Sequence, residues 1–134
     1  MVNGSKSLEE VLERFRTIAI PDDFDMIVAI ANGGIVPAAI LNQRFNKEVR
    51  LVYINLRDES QQPRYDRPRV LHPLDFDVRG RRVLLVDDRV KSGSTFAAAR
   101  ELLAAAASVR TFAVNGKADH ALYDEACFRF PWNL

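Results

Sequence analysis

The sequence contains a single cysteine, Cys127, among its 134 residues. One thiol forms no intramolecular disulfide and supplies no Cys-rich zinc site, so both of those scaffold classes are excluded. Only two histidines are present. They stand far apart, at positions 72 and 120, without metal-ligand spacing around them. We therefore expect a reducing compartment, the cytoplasm.

The chain also lacks an excess of charge of either sign and a long hydrophobic run. It has 19 Lys and Arg against 18 Asp and Glu, which gives a formal net charge of +1. Bulk nucleic acid and anionic membranes both favour a clear basic excess. No stretch approaches the roughly 20 apolar residues that span a bilayer, and the polar residues 1–7 contain no apolar signal core. We expect neither nucleic acid nor a membrane as a partner.

The composition is that of an ordinary globular protein. Hydrophobic residues make up 48% of the chain and charged residues 28%. A domain of this length buries about two thirds of the surface of its unfolded chain. Disorder and collagen-like structure are thereby excluded, and we expect one domain, residues 1–134.

Hydrophobic periodicity predicts alternating helices and strands. Ser7 followed by Glu10 forms a capping box, which predicts a first helix. Two further helices are predicted, one ending at Phe45 and one over 94–107. Short apolar runs predict five strands, at 24–30, 49–56, 82–86, 109–114 and 126–130. The alternation predicts a doubly wound α/β domain with a mainly parallel sheet flanked by helices, whose ligands bind at the carboxyl ends of the strands.

A strongly polar segment, residues 57–69 (RDESQQPRYDRPR), interrupts this pattern. Apart from Tyr65 and two prolines, every residue in it is polar. A hydrophilic segment of this length inside a compact domain is usually either disordered or a functional lid. Its arginines either serve a ligand or pair with acidic residues of a solvated loop, and both interpretations stay open.

The strongest chemical signal follows the most hydrophobic strand. Two acids, Asp87 and Asp88, precede a small-residue loop, Lys91 to Thr95, that opens a helix. Backbone N–H groups of such a loop can point at a phosphate, and the helix adds its positive dipole end. The acid pair can accept hydrogen bonds from sugar hydroxyls or attract Mg²⁺. Taken singly, the acids merely end a strand and Ser92 caps a helix, but packing alone does not require the combination.

This stretch, Val83 to Thr95, resembles the fingerprint for phosphoribosyl pyrophosphate (PRPP) of the type I phosphoribosyltransferases. That fingerprint has a hydrophobic strand, an acid pair and a Thr/Ser-Gly-x-Thr loop. Residues 24–37 (FDMIVAIANGGIVP) are similar to the earlier strand and pyrophosphate loop of the family. The resemblance extends from about residue 24 to residue 132.

The resemblance implies a role for each motif. The 5′-phosphate of PRPP would lie in the loop matched by Lys91, Ser92, Gly93, Ser94 and Thr95. The pyrophosphate would face Asn32, Gly33 and Gly34. The ribose hydroxyls would meet Asp87 and Asp88, which hold Mg²⁺, the expected cofactor, indirectly through those hydroxyls or water. Asp87, Asp88 and Lys91 are the predicted catalytic residues.

Residues 57–69 also match a feature of the family. In the family a mobile loop closes over the site, and residues 57–69 occupy its place. In the lid interpretation Arg57, Arg64 and Arg67 bring positive charge to the departing pyrophosphate. Such a lid is useful because water would intercept the cation-like transition state of ribosyl transfer.

The C-terminal residues resemble a reduced form of the base-binding hood of bacterial and archaeal purine transferases. Pro131-Trp132 matches the Pro-Trp ending of that hood. Lys117 falls where those enzymes keep a lysine that recognises the exocyclic oxygen of the purine. Phe128 either stacks on a base or belongs to a strand that buries one face.

The resemblance implies an enzyme that transfers the phosphoribosyl group of PRPP to a nucleobase, a 6-oxopurine, and releases pyrophosphate. Its partners would be these small molecules, and it would form a homodimer. Purine enzymes usually place an aspartate, the proposed acid/base partner of the purine ring, where this chain has Lys91, and they often have an arginine where it has Asn32. Lys91 favours the alternative function, a non-catalytic regulator of the same fold that binds PRPP or a nucleotide.

Overall fold

The strands of the described residues form one six-stranded sheet. The computed structural model describes residues 6–55 and 69–134. Its helices are α1 (Leu8–Thr17), α2 (Ile35–Phe45) and α3 (Ser94–Leu102). Its strands are β1 (Met26–Ala31), β2 (Glu48–Asn55), β3 (Arg69–Val70), β4 (Arg82–Arg89), β5 (Ser108–Asn115) and β6 (His120–Tyr123). Helix α1 precedes β1, α2 connects β1 to β2, and α3 connects β4 to β5.

The order of the strands in the sheet is β3-β2-β1-β4-β5-β6. All neighbouring strands are parallel except β3, which pairs antiparallel with β2. The central strands β1 and β4 are buried on both faces, which explains their nearly continuous apolar sequence. The prediction of an α/β fold with a mainly parallel sheet is confirmed.

Helices cover both faces of the sheet and give two apolar cores. On one face, Val11 and Phe15 of α1 and Leu41 of α2 pack with alternate residues of β1, β4 and β5. On the other face, Phe96 and Ala99 of α3 pack with the remaining alternate residues. The fold is therefore doubly wound, and β4 contributes side chains to both cores. None of the helices in the described ranges is long and apolar enough to cross a membrane.

Ser7 caps α1 as predicted, but only this half of the capping box forms among the described residues, because the Glu10 carboxylate accepts a hydrogen bond from the Tyr123 hydroxyl at 2.7 Å. The Ser7 hydroxyl oxygen accepts a hydrogen bond from the Glu10 backbone N–H at 3.1 Å. The third helix differs from its prediction, because α3 ends at Leu102 instead of continuing to residue 107. The backbone N–H of Ala107 donates to the Arg81 carbonyl at 2.8 Å. This contact directs the alanine run into a turn beside β4, so tertiary hydrogen bonding overrides the helix propensity of alanine.

Two predicted strands also differ from the structure. Strand β4 runs through Asp87 and Asp88 to Arg89 instead of ending at the acid pair. Residues 126–130 form no strand, and the last strand of the sheet is the shorter β6, which pairs with β5. Phe128 and Phe130 are nevertheless both buried, as the alternation in this segment indicates.

Candidate functional site

A cavity of about 430 Å³ opens at the carboxyl ends of β1 and β4. Residues 30–33 and 87–96 form most of its wall, and Tyr53, Ile54 and Leu71 complete it. In open parallel sheets, ligands bind at this edge. The structure therefore brings Asn32, Gly33, the acid pair and the loop Lys91 to Thr95 to one cavity, whereas Gly34, predicted with them, lies outside its wall.

The glycine turn after β1 fits closely against β4. A Cβ atom added to Gly34 would lie 2.3 Å from the carbonyl oxygen of Val86, and one added to Gly33 would lie 2.6 Å from Oδ1 of Asp88. A Cβ at position 34 would overlap backbone atoms of β1 and β4, whereas one at position 33 would displace the Asp88 carboxylate. Two glycines are therefore needed to bring this turn, which begins with the cis peptide Ala31–Asn32, against the acid pair.

The two carboxylates leave opposite faces of β4, because successive side chains of a strand alternate. Asp88 faces Gly33, whereas Asp87 is only 9% exposed. The Asp87 carboxylate accepts a hydrogen bond from the backbone N–H of Asp88 at 2.8 Å. Burial raises the pKa of Asp87 well above its usual range, and the neighbouring charge of Asp88 raises it further. The site thus holds a carboxyl group whose ionisation is unfavourable.

This burial makes the stability of the protein depend on pH. The pKa of Asp87 is higher in the folded than in the unfolded protein. Stability is therefore lost as pH rises from about 4, the unfolded pKa, through the folded pKa. Asp87→Asn removes this loss, and we expect its melting temperature to exceed that of the wild type by a few degrees at neutral pH and to match it near pH 4. Thermal unfolding of both proteins between pH 4 and pH 8 measures the difference. A difference that does not change with pH would contradict the assignment.

The loop after β4 has the geometry of an anion-binding site. Gly93 caps α3 with φ +84°, in the left-handed region that favours glycine. The Ser92 and Ser94 hydroxyl oxygens lie 2.8 Å apart, and the Ser94 N–H donates to Ser92 Oγ at 3.3 Å. The N–H groups of Gly93 and Thr95 have no acceptor within residues 6–55 and 69–134. They are available at the positive end of α3 for a phosphate.

Lys91 lines the same cavity and is exposed. In the part of the chain that the structure describes, it forms no ion pair with an acidic side chain. A basic side chain therefore stands at the mouth of the loop after β4, close in sequence to the acid pair.

The residues predicted to bind a base are placed differently. Phe128 has no exposed surface, and its ring packs against Tyr123 and Phe130 with centroids 5.1 and 5.3 Å away. The prediction that this ring stacks on a base is wrong, because a fully buried ring has no free face. Lys117 is exposed and lies outside the cavity wall, just after Gly116, where an added Cβ would lie 2.5 Å from the Val90 carbonyl oxygen.

Sequence reasoning missed two polar residues of the cavity wall, Arg89 and Tyr53. Arg89 could have been noticed as a basic residue that follows an apolar strand and its acid pair. Tyr53 lies two residues after Leu51, so the two side chains share one face of the strand. That pattern does not distinguish a ligand contact from ordinary packing. The predicted lid arginines Arg57, Arg64 and Arg67 lie outside the described residues.

The described residues contain no group of three or more His, Cys, Asp or Glu side chains that could hold a metal ion. The acid pair supplies two carboxylates, and carboxylate oxygens are ligands that suit Mg²⁺. Substrate oxygens and water would have to complete the coordination. The donor set therefore fits a metal that arrives with an oxygen-rich ligand.

Comparison with known proteins identifies the class that this fold and site define. Residues 7–130 match the family described as "Phosphoribosyl transferase domain". The chain is 36% identical over 118 residues to a xanthine-guanine phosphoribosyltransferase of Chromohalobacter salexigens, covering 84% of this chain and 70% of that protein. The protein belongs to the phosphoribosyl transferase domain family. It is also 32% identical over 99 residues to an orotate phosphoribosyltransferase of Sulfurisphaera tokodaii, covering 74% of this chain and 44% of that protein.

Solved structures share the fold at lower sequence identity. A purine phosphoribosyltransferase from Pyrococcus horikoshii superposes with a TM-score of 0.80 at 18% identity, covering 99% of this chain and 96% of that one. A hypothetical protein from Neisseria gonorrhoeae with bound ppGpp superposes with a TM-score of 0.72 at 17% identity, covering 100% and 91% of the two chains. These neighbours agree with the doubly wound sheet described above.

Proposed function

We propose that this protein transfers the phosphoribosyl group of PRPP to a 6-oxopurine base and releases pyrophosphate. One observation carries the proposal: the glycine turn, the acid pair and the phosphate loop line a single cavity at the carboxyl edge of the sheet. A phosphorylated sugar with a second phosphate group has the chemistry that these three motifs bind. The similarity to a xanthine-guanine phosphoribosyltransferase supports a purine as the acceptor.

Each motif takes one part of PRPP in this proposal. The N–H groups of Gly93 and Thr95 and the Ser92 and Ser94 hydroxyls bind the 5′-phosphate. The ribose hydroxyls donate hydrogen bonds to the acid pair. The turn at 32–34 takes the pyrophosphate, since only glycines let its backbone lie this close to β4. The three subsites hold the sugar in one orientation for displacement at C1.

The acid pair also serves the chemistry. As the bond from C1 to pyrophosphate breaks, positive charge develops on the ribose. That positive charge favours the ionised form of Asp87, and the carboxylates at the end of β4 then stabilise the charge more strongly than water does, because little solvent screens them. Asp87 and Asp88 would hold Mg²⁺ through the ribose hydroxyls or water. When bound, the ion neutralises charge on the departing pyrophosphate.

A second function, ligand binding without turnover, is favoured by Lys91. While protonated, a lysine accepts no proton from an attacking base, so it does not replace a carboxylate as acid/base partner. It does add positive charge for an anionic ligand at the phosphate loop. The neighbour with bound ppGpp shows that a chain of this fold binds a phosphate-rich nucleotide.

A nucleobase panel separates the two functions. The protein is mixed with PRPP, Mg²⁺ and xanthine, guanine, hypoxanthine, adenine or orotate, and pyrophosphate release is measured. We expect release with at least one of the three 6-oxopurines. Release with adenine or orotate alone would replace the proposed acceptor. PRPP binding in calorimetry without release would favour the binding protein, and absence of PRPP binding would contradict both functions. The homodimer and the cytoplasmic location stay predictions.

Substitutions of Lys91 test its contribution directly. We expect Lys91→Ala to weaken PRPP binding about tenfold, since a cation next to a dianionic phosphate contributes more than the ~0–1 kcal/mol of an exposed ion pair. Lys91→Asp should weaken binding further through repulsion, yet raise kcat with hypoxanthine or guanine by supplying a proton acceptor. Calorimetry and steady-state kinetics measure both effects. If neither variant changes PRPP affinity, Lys91 plays no part in the site.

A further inference from the structure

The C-terminal segment, residues 124–130, is bound through its backbone by two side chains at the ends of neighbouring strands. Arg89 Nη2 donates to the Phe128 carbonyl oxygen at 2.9 Å. Asn115 Nδ2 donates to the Glu125 carbonyl oxygen at 3.1 Å, and Asn115 Oδ1 accepts from the Glu125 N–H at 3.0 Å. Arg89 and Asn115 are paired residues at the ends of β4 and β5. These two paired residues at the edge of the sheet thus hold the segment in place.

Arg89 connects the segment to the candidate site. It lines the cavity beside the acid pair, and its guanidinium carbon lies 4.6 Å from the centroid of the Phe130 ring. Phe130 in turn stacks on Trp132, with centroids 5.3 Å apart and planes at 17°. Arg89 thus contacts both the cavity and the aromatic residues of the C-terminal segment.

Packing alone does not explain an arginine at this position. Its Nε is buried and has no hydrogen-bond partner among the described residues. An unsatisfied buried N–H is unfavourable, and an aliphatic side chain would avoid it. What the arginine adds is the hydrogen bond to the Phe128 carbonyl and the contact with Phe130.

The order of the strands places the contact of Arg89 with the C-terminal segment on the side from which the nucleobase approaches. This inference rests on the proposed function. The pyrophosphate subsite lies at the end of β1, and β4 separates β1 from β5 in the sheet. In a displacement at one carbon, the acceptor approaches from the side opposite the departing group. The acceptor therefore enters on the β5 side, where Arg89, Asn115 and the C-terminal segment lie.

We infer that Arg89 is a positioning residue that fixes the C-terminal segment as one wall of the acceptor subsite. By fixing the course of this segment it sets the affinity for the purine base, while the buried rings of Phe128 and Phe130 anchor the segment and do not touch the base. It does not set the affinity for PRPP, whose subsites lie on the glycine turn, the acid pair and the phosphate loop.

The chain offers a matched control in Arg14. Its Nη1 donates to the Leu122 carbonyl oxygen at 2.8 Å, and its guanidinium carbon lies 4.1 Å from the centroid of the Tyr123 ring. Arg14 thus makes the same two contacts as Arg89, a carbonyl and an aromatic ring, but lies outside the cavity wall. Loss of either guanidinium removes similar packing, and only one of the two borders the site.

Kinetics of three variants test the inference. We expect Arg89→Gln to raise KM for hypoxanthine or guanine about tenfold, because a displaced wall misplaces the base. KM and Kd for PRPP should change less than about twofold, and Arg89→Lys should recover part of the loss because its ammonium can still donate to the Phe128 carbonyl. Arg14→Gln should leave both KM values within about twofold of the wild type although it lowers thermal stability. An equal rise of both KM values in Arg89→Gln, or a rise in KM for the base in Arg14→Gln as large as that in Arg89→Gln, would overturn the inference.

A second readout does not depend on turnover. Trp132 is the only tryptophan of the chain, so its fluorescence reports the C-terminal aromatic residues. We expect red-shifted emission and stronger iodide quenching in Arg89→Gln. Guanosine 5′-monophosphate should bind this variant more weakly than the wild type, while ribose 5-phosphate binds both equally. Unchanged emission, or equal weakening for both ligands, would overturn the inference. If the wild type shows no turnover in the nucleobase panel, the proposed enzyme fails, but this binding test still decides the role of Arg89.

Discussion

Asp88→Asn is expected to weaken PRPP binding about 100-fold, equivalent to ~2.7 kcal/mol, while the protein stays folded. The Asp88 carboxylate borders the cavity and faces Gly33. Within residues 6–55 and 69–134 it accepts no hydrogen bond and forms no ion pair, so the fold does not depend on its charge. A ligand, by contrast, loses charge-assisted hydrogen bonds from the ribose hydroxyls, each worth roughly 1.5–3 kcal/mol.

Calorimetric titration with PRPP and Mg²⁺ measures the loss, and thermal unfolding shows whether the fold persists. Asp77→Asn serves as the control, because Asp77 is an exposed carboxylate that pairs with Arg79 and lies outside the cavity wall. Its PRPP affinity should equal that of the wild type. If Asp88→Asn also binds PRPP like the wild type, the ribose does not lie at the acid pair.

Gly34→Ala is expected to destabilise the protein by about 3 kcal/mol or more, at the upper end of what overpacking costs. Its Cβ would lie 2.3 Å from the Val86 carbonyl oxygen and 2.8 Å from that of Ile30. Both are backbone atoms of central strands, which move only if the sheet distorts. The φ of Gly34 is −81°, a value that alanine adopts readily, so the effect is purely steric.

Gly33→Ala provides the contrast, because its Cβ would meet the Asp88 carboxylate at 2.6 Å. A side chain can rotate away, so we expect a small change in melting temperature together with a clear loss of PRPP affinity. Thermal unfolding and calorimetry of the two variants separate a structural glycine from a functional one. Wild-type melting of Gly34→Ala, or wild-type PRPP affinity of Gly33→Ala, would show that the turn does not fit against β4 in this way.

The sequence alone was sufficient to predict the central strands of the sheet, because β1 and β4 are buried on both faces and are therefore nearly continuous apolar runs. It failed where tertiary contacts decide local structure. The alanine run after α3 has high helix propensity, yet the hydrogen bond from Ala107 to Arg81 ends the helix early. Strand β6 has only four residues, of which Leu122 and Tyr123 are buried, too few for a clear period.

In the site, too, the residues that are adjacent in the sequence were predicted, and those that depend on tertiary contacts of their side chains were not. Asp87, Asp88 and the loop after them are contiguous in the sequence, so their chemistry could be read together. The contact of Gly33 with Asp88 joins two strands, but a rule of the fold, that parallel strands end at one edge, predicts it. Arg89 binds a carbonyl 39 residues away. Nothing in the spacing of residues indicates a bond from a side chain to a distant backbone group, and the aromatic character of Phe128 is equally compatible with stacking on a base and with burial.

The way in which the C-terminal segment is held has a consequence for engineering. Arg89 and Asn115 bind its carbonyl and N–H groups, which every residue type except proline provides in full. Three consecutive side chains of the segment, Asp124, Glu125 and Ala126, are exposed, and the Glu125 carboxylate reaches Lys6 at 2.9 Å. These positions can be randomised in a library while Arg89 and Asn115 keep their hydrogen bonds to the backbone. Under the proposed function, such a library varies the segment on the acceptor side without altering the glycine turn, the acid pair or the loop Lys91 to Thr95.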